Sequence, residues 1–317
     1  MPDAVCLGLD TSNYTTSAAV SSRGKVTASV RRLLKVAEGE RGLRQSDAVF
    51  QHTVNLPSVF SEIGEQRLRA VGVSATPRDH EGSYMPCFLA GVASASAIAE
   101  TAGVPLYRFS HQAGHIAAAL YSCGREDLHE GEFLAFHVSG GTTELTHVDY
   151  GRITLLGGTR DISAGKAIDR IGVMLGLSFP CGGQLEALAG DIMTAKAGKL
   201  SVEGLSCNLS GLENKAEAMR KQGAEPSAVA AYVLRHILAV LDRLTENALA
   251  IYPGLPVIYA GGVMSNKAIR SHLSDRFGGL FAEACYSCDN AAGIARLTEL
   301  TADGLLASSE RSAYAGG

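Results

Sequence analysis

A repeat at a constant offset of 127 residues constrains the fold of this chain more than any other feature of its sequence. Residues 5–30 read as a strand, a polar turn, a second strand, a glycine turn and a third strand, and residues 133–156 read the same way. The matched pieces are Leu7–Ser12 with Leu134–Ser139, Thr15-Thr16 with Thr142-Thr143, and Gly24-Lys25-Val26 with Gly151-Arg152-Ile153. A gapless match of this kind predicts a duplicated protein with one three-stranded hairpin unit in each half.

The second copy of the repeat carries the turn Ser139-Gly140-Gly141-Thr142-Thr143 between its first two strands. Hydroxyl and backbone N–H groups in such a turn suit phosphate oxygens, and glycine lets the backbone approach a ligand closely. Taken alone, a turn of this composition is most often a plain connection between strands. Its place in the repeat favours phosphate binding in a cleft between two lobes.

The rest of the chain alternates helices with strands, which indicates that both lobes are of the α/β class. We predict a strand over residues 70–74, a small-residue helix over 88–101 and a long helix over 228–251. We also predict buried strands over residues 256–260 and 282–287.

The net charge of −4 over 317 residues gives no general attraction to polyphosphate, so a nucleic-acid partner would have to meet a local basic patch. A solvated helix face and loop is the more usual explanation of such residues. The candidates are Arg31, Arg32, Lys35, Arg41 and Arg44.

The seven cysteines are scattered and odd in number, which favours reduced thiols in a reducing compartment. The first residues lack the basic start of a secretion signal, and no apolar run of about 18 residues occurs. We therefore expect a cytoplasmic protein without a membrane span.

Two histidines stand four residues apart at the start of a predicted helix, His111 and His115. This spacing places both imidazoles on one helix face, where two nitrogens can bind a single cation. Two unrelated histidines at a helix start would look the same. The metallopeptidase motif needs a glutamate directly after the first histidine, and Gln112 stands there instead, so a protease lacks its general base.

Four further residues could contribute to a metal or ligand site. His137 ends the strand before the Ser-Gly-Gly turn, although a satisfied core histidine is an equally good explanation. Asp289 follows the predicted strand over 282–287 and precedes a helix, where it could bind a cation or cap the helix. Cys285 and Cys288 form an isolated C-x-x-C pair, for which buried thiols are the favoured interpretation.

These pieces together resemble the TsaD/Gcp (YgjD) family, the threonylcarbamoyl transferases of tRNA modification that were formerly called glycoproteases. The resemblance runs along nearly the whole chain, and its motifs occur in the same order as in the family. It rests on Asp10-Thr11-Ser12, the pair His111 and His115, Val138–Gly141, Asp161–Arg170, Leu175-Gly176-Leu177 with Pro180–Gly183, Asn208–Leu212, Ala260–Val263 with Asn266, and Cys288-Asp289-Asn290.

The resemblance implies an ASKHA (actin-like ATPase) fold, α/β in class, duplicated and two-lobed. Residues 1–110 with about 291–317 would form the first lobe and about 111–290 the second, with nucleotide and metal in the cleft between them. Fe²⁺ or Zn²⁺, one per subunit, would be held by His111, His115 and Asp289, with His137 as a possible fourth ligand. The nucleotide or substrate residues would be Ser12, His137, Val138, Ser139, Gly140, Gly141, Asp169, Gly182 and Asn266.

The family reaction transfers threonylcarbamoyl from threonylcarbamoyl-AMP to N6 of adenosine 37 of tRNA (t6A biosynthesis), so ATP or this adenylate is the expected nucleotide. Expected partners are tRNA and TsaB-like and TsaE-like accessory proteins. The catalytic residues stay unassigned, because Tyr14 and Thr15 replace the acidic pair of the family's first turn.

Other positions also depart from the family pattern, at Thr142–Glu144, Lys166 and the bulky loop 76–84. A regulatory or assembly paralogue that binds nucleotide and metal, and a small-molecule kinase of the same fold, remain alternatives.

Overall fold

The computed structural model describes residues 4–12, 14–36, 43–79, 81–287 and 291–306. The chain divides into two compact units, which we name the first unit (Met1–His129 with Cys288–Gly317) and the second unit (Glu130–Ser287). Asp289 and Arg41 lie outside the described residues. The division falls after residue 129, whereas the sequence-based prediction put it after residue 110.

The first unit is built on a five-stranded sheet in the order β3-β2-β1-β4-β5, in which β1 pairs antiparallel with β2 and parallel with β4. Its strands are β1 Val5–Asp10, β2 Thr15–Ser22, β3 Lys25–Leu33, β4 Leu68–Thr76 and β5 Leu106–Ser110. Its helices are α1 Gln45–Ile63, α2 Phe88–Ala102, α3 His111–Ser122 and α9 Ala292–Ala302.

Close backbone contact places α3 in the first unit, so this unit extends beyond residue 110, where the sequence-based prediction put the boundary between lobes. A Cβ atom on Gly293 of α9 would lie 1.8 Å from the carbonyl oxygen of Gly114 of α3, so only glycine permits this approach. On the sheet, a Cβ on Gly8 would lie 2.3 Å from the backbone nitrogen of Ala295. The helix α9 therefore packs tightly against both α3 and strand β1.

The second unit is built on a seven-stranded sheet in the order β12-β11-β6-β7-β8-β10-β9. Its strands are β6 Glu132–Val138, β7 Thr143–Asp149, β8 Arg152–Thr159, β9 Val202–Glu203, β10 Ser206–Cys207, β11 Val257–Ala260 and β12 Leu280–Phe281. Its helices are α4 Ala164–Met174, α5 Gly182–Ala189, α6 Gly211–Lys221, α7 Pro226–Ile251 and α8 Lys267–Phe277. The core of this unit is built around α7, whose apolar side chains are buried along most of its length.

The three-stranded repeat predicted from the sequence is confirmed in both strand bounds and register. In the first copy Leu9 pairs with Ala18, and in the second Phe136 pairs with Leu145, each 127 residues later. Both glycine turns contain two residues at positive φ, namely Arg23-Gly24 (52° and 76°) and Tyr150-Gly151 (46° and 81°). Two successive positive φ angles are typical of the type I′ hairpin turn.

The predicted helices over 88–101 and 228–251 are confirmed as α2 and α7, and the strand over 256–260 as β11. The strand predicted over 282–287 is wrong. The strand β12 ends at Phe281, and a single 3₁₀ turn follows at Ala284–Tyr286. That turn forms because the backbone N–H of Tyr286 and the hydroxyl of Ser287 both donate to the carbonyl oxygen of Glu283.

Within the described ranges, no helix combines the length and the apolar character that a membrane span requires.

Candidate metal and nucleotide sites

The helix α3 begins directly after strand β5 and presents two histidines on one face. Ser110 caps the helix, because its hydroxyl accepts a hydrogen bond from the backbone N–H of Ala113 at 3.0 Å. The Nε2 atoms of His111 and His115 lie 2.9 Å apart, and their ring centroids are 4.3 Å apart. The predicted juxtaposition of the two imidazoles is therefore present.

The other nitrogen of His111 contacts a buried carboxylate at the end of strand β1. His111 Nδ1 lies 2.7 Å from Oδ2 of Asp10, which also accepts from the hydroxyl of Ser74 at 2.7 Å. Oδ1 of Asp10 accepts from the backbone N–H of Ser12, also at 2.7 Å. Burial would raise the pKa of Asp10, but the charge and hydrogen bond of His111 and the hydrogen bonds of Ser12 and Ser74 lower it below its usual value.

These residues fit a divalent transition metal by their chemistry. Two imidazole nitrogens directed toward each other, one backed by a carboxylate on its far side, are the donor set that Zn²⁺ and Fe²⁺ sites use. Ser12 adds a buried hydroxyl that has no hydrogen-bond partner in the described part of the chain. Among residues 4–12, 14–36, 43–79, 81–287 and 291–306, no set of three or more metal-ligating side chains is assembled, and the third predicted ligand, Asp289, lies outside these ranges.

The Ser-Gly-Gly turn of the second unit is an open backbone loop held by side chains at its ends. The hydroxyl of Ser139 accepts from the backbone N–H groups of Gly141 at 3.3 Å and Thr142 at 3.2 Å. A Cβ atom built on Gly140 or Gly141 would meet nothing within 4 Å. The turn therefore leaves open space beside two glycines, as a phosphate-binding loop requires.

The N-terminus of helix α4 packs directly against this turn. Ser163 caps the helix, and its hydroxyl also donates to the carbonyl oxygen of Gly140 at 2.6 Å. A Cβ on Gly165 would lie 2.6 Å from both the nitrogen of Gly140 and the carbonyl oxygen of Ser139. The positive end of the helix dipole therefore lies beside the turn, where it favours an anion.

A cavity of about 410 Å³ opens within the second unit, next to the turn and α4. Four of the predicted nucleotide residues line it, namely Gly140, Asp169, Gly182 and Asn266. Val138 lies in strand β6, where a Cβ on Gly261 would touch its backbone. Ser12 belongs to the first unit.

The two polar predicted residues of the cavity also hold its walls in place. Asp169 accepts from the backbone N–H of Cys181 at 2.8 Å, one residue before helix α5. Asn266 caps helix α8 by accepting from the backbone N–H of Ile269 at 3.0 Å.

Sequence reasoning did not single out two other residues that line the cavity. Glu186 accepts from the backbone N–H of Lys267 at 2.8 Å, and the ring of Phe179 is 74% exposed at the cavity. The available signal was an acidic residue at the fifth position of a helix that begins Gly-Gly, seven residues after an aromatic residue.

His137 lies on strand β6, one residue before its end, and is half-buried. Its Nδ1 lies 3.4 Å from the hydroxyl of Thr142, in the same unit. Its role as a metal ligand stays a prediction.

Comparison with known proteins settles the family. A family model described as "TsaD: tRNA N6-adenosine threonylcarbamoyltransferase" matches residues 46–296. The tRNA N6-adenosine threonylcarbamoyltransferase of Geobacillus thermodenitrificans is 31% identical over 294 residues, which cover 86% of this chain and 83% of that protein. The chain belongs to the TsaD family. The enzyme of the same name from Streptococcus pneumoniae strain CGSP14 is 32% identical over 241 residues, covering 70% of this chain and 67% of that one.

Solved structures confirm the predicted actin-like ATPase fold class. Component A of the (R)-2-hydroxyglutaryl-CoA dehydratase of Acidaminococcus fermentans superposes with a TM-score of 0.57 at 14% identity, covering 95% of this chain and all of that one. A glucokinase of the ROK family from Streptomyces griseus superposes with a TM-score of 0.51 at 10% identity, covering 94% and 99%.

Two motifs that carried the resemblance to the TsaD family have a structural role here. Asp161 accepts from the backbone N–H groups of Leu209 at 2.8 Å and Ser210 at 3.0 Å. Burial would raise the pKa of Asp161, but these hydrogen bonds lower it well below its usual value. Asp161 therefore ties the segment before α4 to the loop before α6.

Three of the positions at which the chain departs from the TsaD pattern are Tyr14, Thr15 and Lys166. Thr15 is buried at the start of β2, and the carbonyl oxygen of Tyr14 accepts from the backbone N–H of Leu34 at 2.8 Å. Lys166 is exposed on α4. The expectation of buried thiols in the C-x-x-C pair is wrong for Cys285, which is exposed because it lies in the 3₁₀ turn after β12, and Cys288 lies outside the described residues.

The basic candidates within the described residues, Arg31, Arg32, Lys35 and Arg44, are surface residues of the first unit. Arg31 is exposed on the edge strand β3, and Arg32 forms an ion pair with Glu62 of α1. Lys35 and Arg44 are exposed. An exposed ion pair of this kind contributes little stability, so it leaves the arginine available to other anions.

Proposed function

We propose that the protein transfers the threonylcarbamoyl group from threonylcarbamoyl-AMP to N6 of adenosine 37 of tRNA. The observation that carries this proposal is the cavity of the second unit that is lined by Gly140, Asp169, Gly182 and Asn266, in a chain of the TsaD family. These residues are the ones matched to the nucleotide positions of the family.

In this proposal the second unit holds the nucleotide. The open backbone at Gly140 and Gly141, beside the N-terminus of α4, would bind the phosphate of the adenylate. Asp169 and Asn266 would bind the nucleoside by hydrogen bonds, and their backbone partners Cys181 and Ile269 already restrict their rotamers. Side chains fixed in this way lose little entropy when a ligand binds.

The first unit would hold the metal ion through His111 and His115, with Asp289 as the predicted third ligand and His137 as a possible fourth. The donor set supports Fe²⁺ or Zn²⁺, one per subunit. A bound divalent ion would supply Lewis acidity to a phosphate or carbonyl oxygen. The chain's own contribution is to keep both Nε2 atoms directed at one point, 2.9 Å apart.

The proposed partners are tRNA and TsaB-like and TsaE-like accessory proteins in the cytoplasm. The surface arginines Arg31 and Arg32 are the local basic groups from which a tRNA contact would start.

A second candidate function has its own observation in favour. Tyr14, 36% exposed, and Thr15, 4% exposed, occupy the positions of the family's acidic pair, and neither side chain can act as a carboxylate base. A paralogue that binds nucleotide and metal as a regulatory or assembly subunit would tolerate this change.

The deciding experiment supplies threonylcarbamoyl-AMP, unmodified tRNA and TsaB-like and TsaE-like proteins, and measures modified adenosine by mass spectrometry. A typical TsaD enzyme runs in parallel, and Tyr14→Asp tests whether a restored carboxylate adds activity. Product from the wild-type chain supports the transferase. No product from it, while the typical enzyme works and this chain binds nucleotide and metal, would sink the transferase in favour of the second candidate.

A further inference from the structure

Asp10 is a buried carboxylate with three hydrogen-bond partners, and only one of them is a group that can act solely as a donor. It is 1% exposed, accepts from the backbone N–H of Ser12 through Oδ1 and from the hydroxyl of Ser74 through Oδ2, and its Oδ2 lies 2.7 Å from Nδ1 of His111. The partner at Ser12 is a backbone N–H, which can only donate. A hydroxyl and an imidazole nitrogen can each donate or accept, so only the Ser12 contact has a fixed direction.

The position of the proton on His111 follows from this arrangement. An ionised carboxylate only accepts hydrogen bonds, so Nδ1 of His111, 2.7 Å from Asp10, must carry the proton. Metal binding requires the neutral imidazole, which has one N–H, so in that form the lone pair is on Nε2. That atom is the one directed at Nε2 of His115, 2.9 Å away.

We infer that Asp10 is a positioning residue that holds His111 in its Nδ1–H tautomer, so that the Nε2 lone pair is available to a divalent metal ion. The identity of the ion rests on the proposed function, whereas the tautomer rests on the contacts of Asp10 alone. Carboxylates that orient metal-binding imidazoles in this way are common in proteins, and their loss weakens metal binding by about 10–100-fold.

Asp10→Asn is the informative variant, because it replaces one carboxylate oxygen by an NH₂ group at nearly constant size. The carbonyl oxygen of the new amide must stay on the backbone N–H of Ser12, since that donor cannot be reversed. The NH₂ group then takes the place of Oδ2 and donates to Nδ1 of His111. The proton of His111 moves to Nε2, where it blocks the lone pair.

Nitrogen-15 NMR of the metal-free protein measures this tautomer directly, with His111→Ala used to assign the signals. For the neutral imidazole of His111 we expect a protonated Nδ1 and an unprotonated Nε2 in the wild type, and the reverse in Asp10→Asn. The wild-type spectrum alone overturns the inference if His111 carries its proton on Nε2.

Competition titration with Zn²⁺ and a chelator gives the second readout. Asp10→Asn is expected to bind Zn²⁺ about 10–100-fold more weakly than the wild type. Ser74→Ala is the matched control, since it removes another hydrogen bond to Oδ2 but leaves the carboxylate on His111, and we expect a change within about threefold. Circular dichroism checks that both variants are folded.

The outcomes separate this inference from the proposed function. Equal Zn²⁺ affinity and an unchanged tautomer in folded Asp10→Asn would overturn the role of Asp10 alone. A wild type that shows the Nδ1–H tautomer but binds neither Zn²⁺ nor Fe²⁺ would refute the proposed metal centre and support Asp10 as the group that fixes the tautomer.

Discussion

The two hairpin units of the repeat share their strands and turns but differ at the end of their first strand. At equivalent positions the first copy has Asp10 and the second has His137. Asp10 is buried and bonded to a histidine of another element, whereas His137 is half-buried beside Thr142 of its own turn. The next positions differ as well, with Gly140 and Gly141 where the first copy has Asn13 and Tyr14.

The difference indicates that the two copies of a duplicated scaffold can serve separate purposes, one presenting open backbone and the other a carboxylate. The turn of the second hairpin has no side chains at Gly140 and Gly141, so its backbone N–H groups and the N-terminus of α4 are placed to bind a phosphate. The first hairpin instead supplies a side chain that positions the imidazole of His111. The shared strands set the frame, and the residues at and just after the end of the first strand determine which groups each copy presents.

The largest expected effect comes from making the two copies alike at one position of the first strand. Gly8 is equivalent to Ala135, and a Cβ on Gly8 would lie 2.3 Å from the backbone nitrogen of Ala295. Because backbone cannot move aside cheaply, we expect Gly8→Ala to lower the free energy of unfolding by at least about 3 kcal/mol. Urea unfolding measures the change.

The reverse exchange, Ala135→Gly, is the matched control for that prediction. It removes one buried methyl group and frees the backbone, so we expect a loss of about 1 kcal/mol. Similar losses for both variants would contradict the close packing of α9 on β1.

The next largest effect concerns nucleotide binding at the Ser-Gly-Gly turn of the second copy. A Cβ on Gly165 would lie 2.6 Å from the nitrogen of Gly140, so Gly165→Ala must push the turn away from α4. We expect at least about a tenfold weaker affinity for a non-hydrolysable ATP analogue, measured by calorimetry, and about 2 kcal/mol lower stability.

Gly141→Ala is the control for the turn, because a Cβ there meets nothing within 4 Å. It should leave the stability nearly unchanged. If Gly165→Ala bound the analogue as well as the wild type does, the packing of α4 on the turn would not matter for binding.

The smallest predicted effect is the loss of stability in acid, which a buried histidine in each unit is expected to cause. Burial and the nearby Arg296 lower the pKa of His129 in the first unit to about 4, and burial lowers the pKa of His236 in the second. The unfolded chain binds a proton near pH 6.5 and the folded protein does not, so the stability contributed by neutral His129 is present above about pH 6.5 and is lost as the pH falls toward 4.

Between pH 7 and pH 5 we expect His129 to account for a loss of about 1–2 kcal/mol. His129→Gln should remove that part of the loss, and His236→Gln should remove the contribution of the second unit. Denaturant midpoints at the two pH values measure both. An unchanged pH slope in His129→Gln would show that its proton equilibrium is the same in the folded and unfolded chain.

Patterns repeated along the chain allowed much of the fold to be predicted from the sequence. The hairpin registers, α2, α7 and β11 follow from alternation, helical spacing and the constant offset. The strand predicted over 282–287 was wrong because the chain turns at Glu283, whose carbonyl oxygen accepts from the backbone N–H of Tyr286, and this local hydrogen bond leaves Cys285 exposed in a 3₁₀ turn. The unit boundary was missed because it depends on contact between Gly114 and Gly293, which lie far apart in the sequence.

The candidate site was predictable where chemistry lies in one segment and not where it depends on the fold. The spacing of His111 and His115 is local, and the helix placed their Nε2 atoms together. The link between Asp10 and His111 joins residues 101 positions apart, so no local pattern could indicate it. Glu186 follows a recognisable helix start, but its contact with the backbone of Lys267 joins residues 81 positions apart, so the sequence did not assign it to the cavity.

The central claim is that the first unit binds the metal ion and the second binds the nucleotide. Metal content after reconstitution with Fe²⁺ or Zn²⁺, measured by mass spectrometry on the wild type, on His111→Ala/His115→Ala and on Gly165→Ala, tests it most directly. We predict about one ion per chain in the wild type and in Gly165→Ala, and almost none in the double variant. A folded double variant that keeps a full equivalent of metal would contradict the claim.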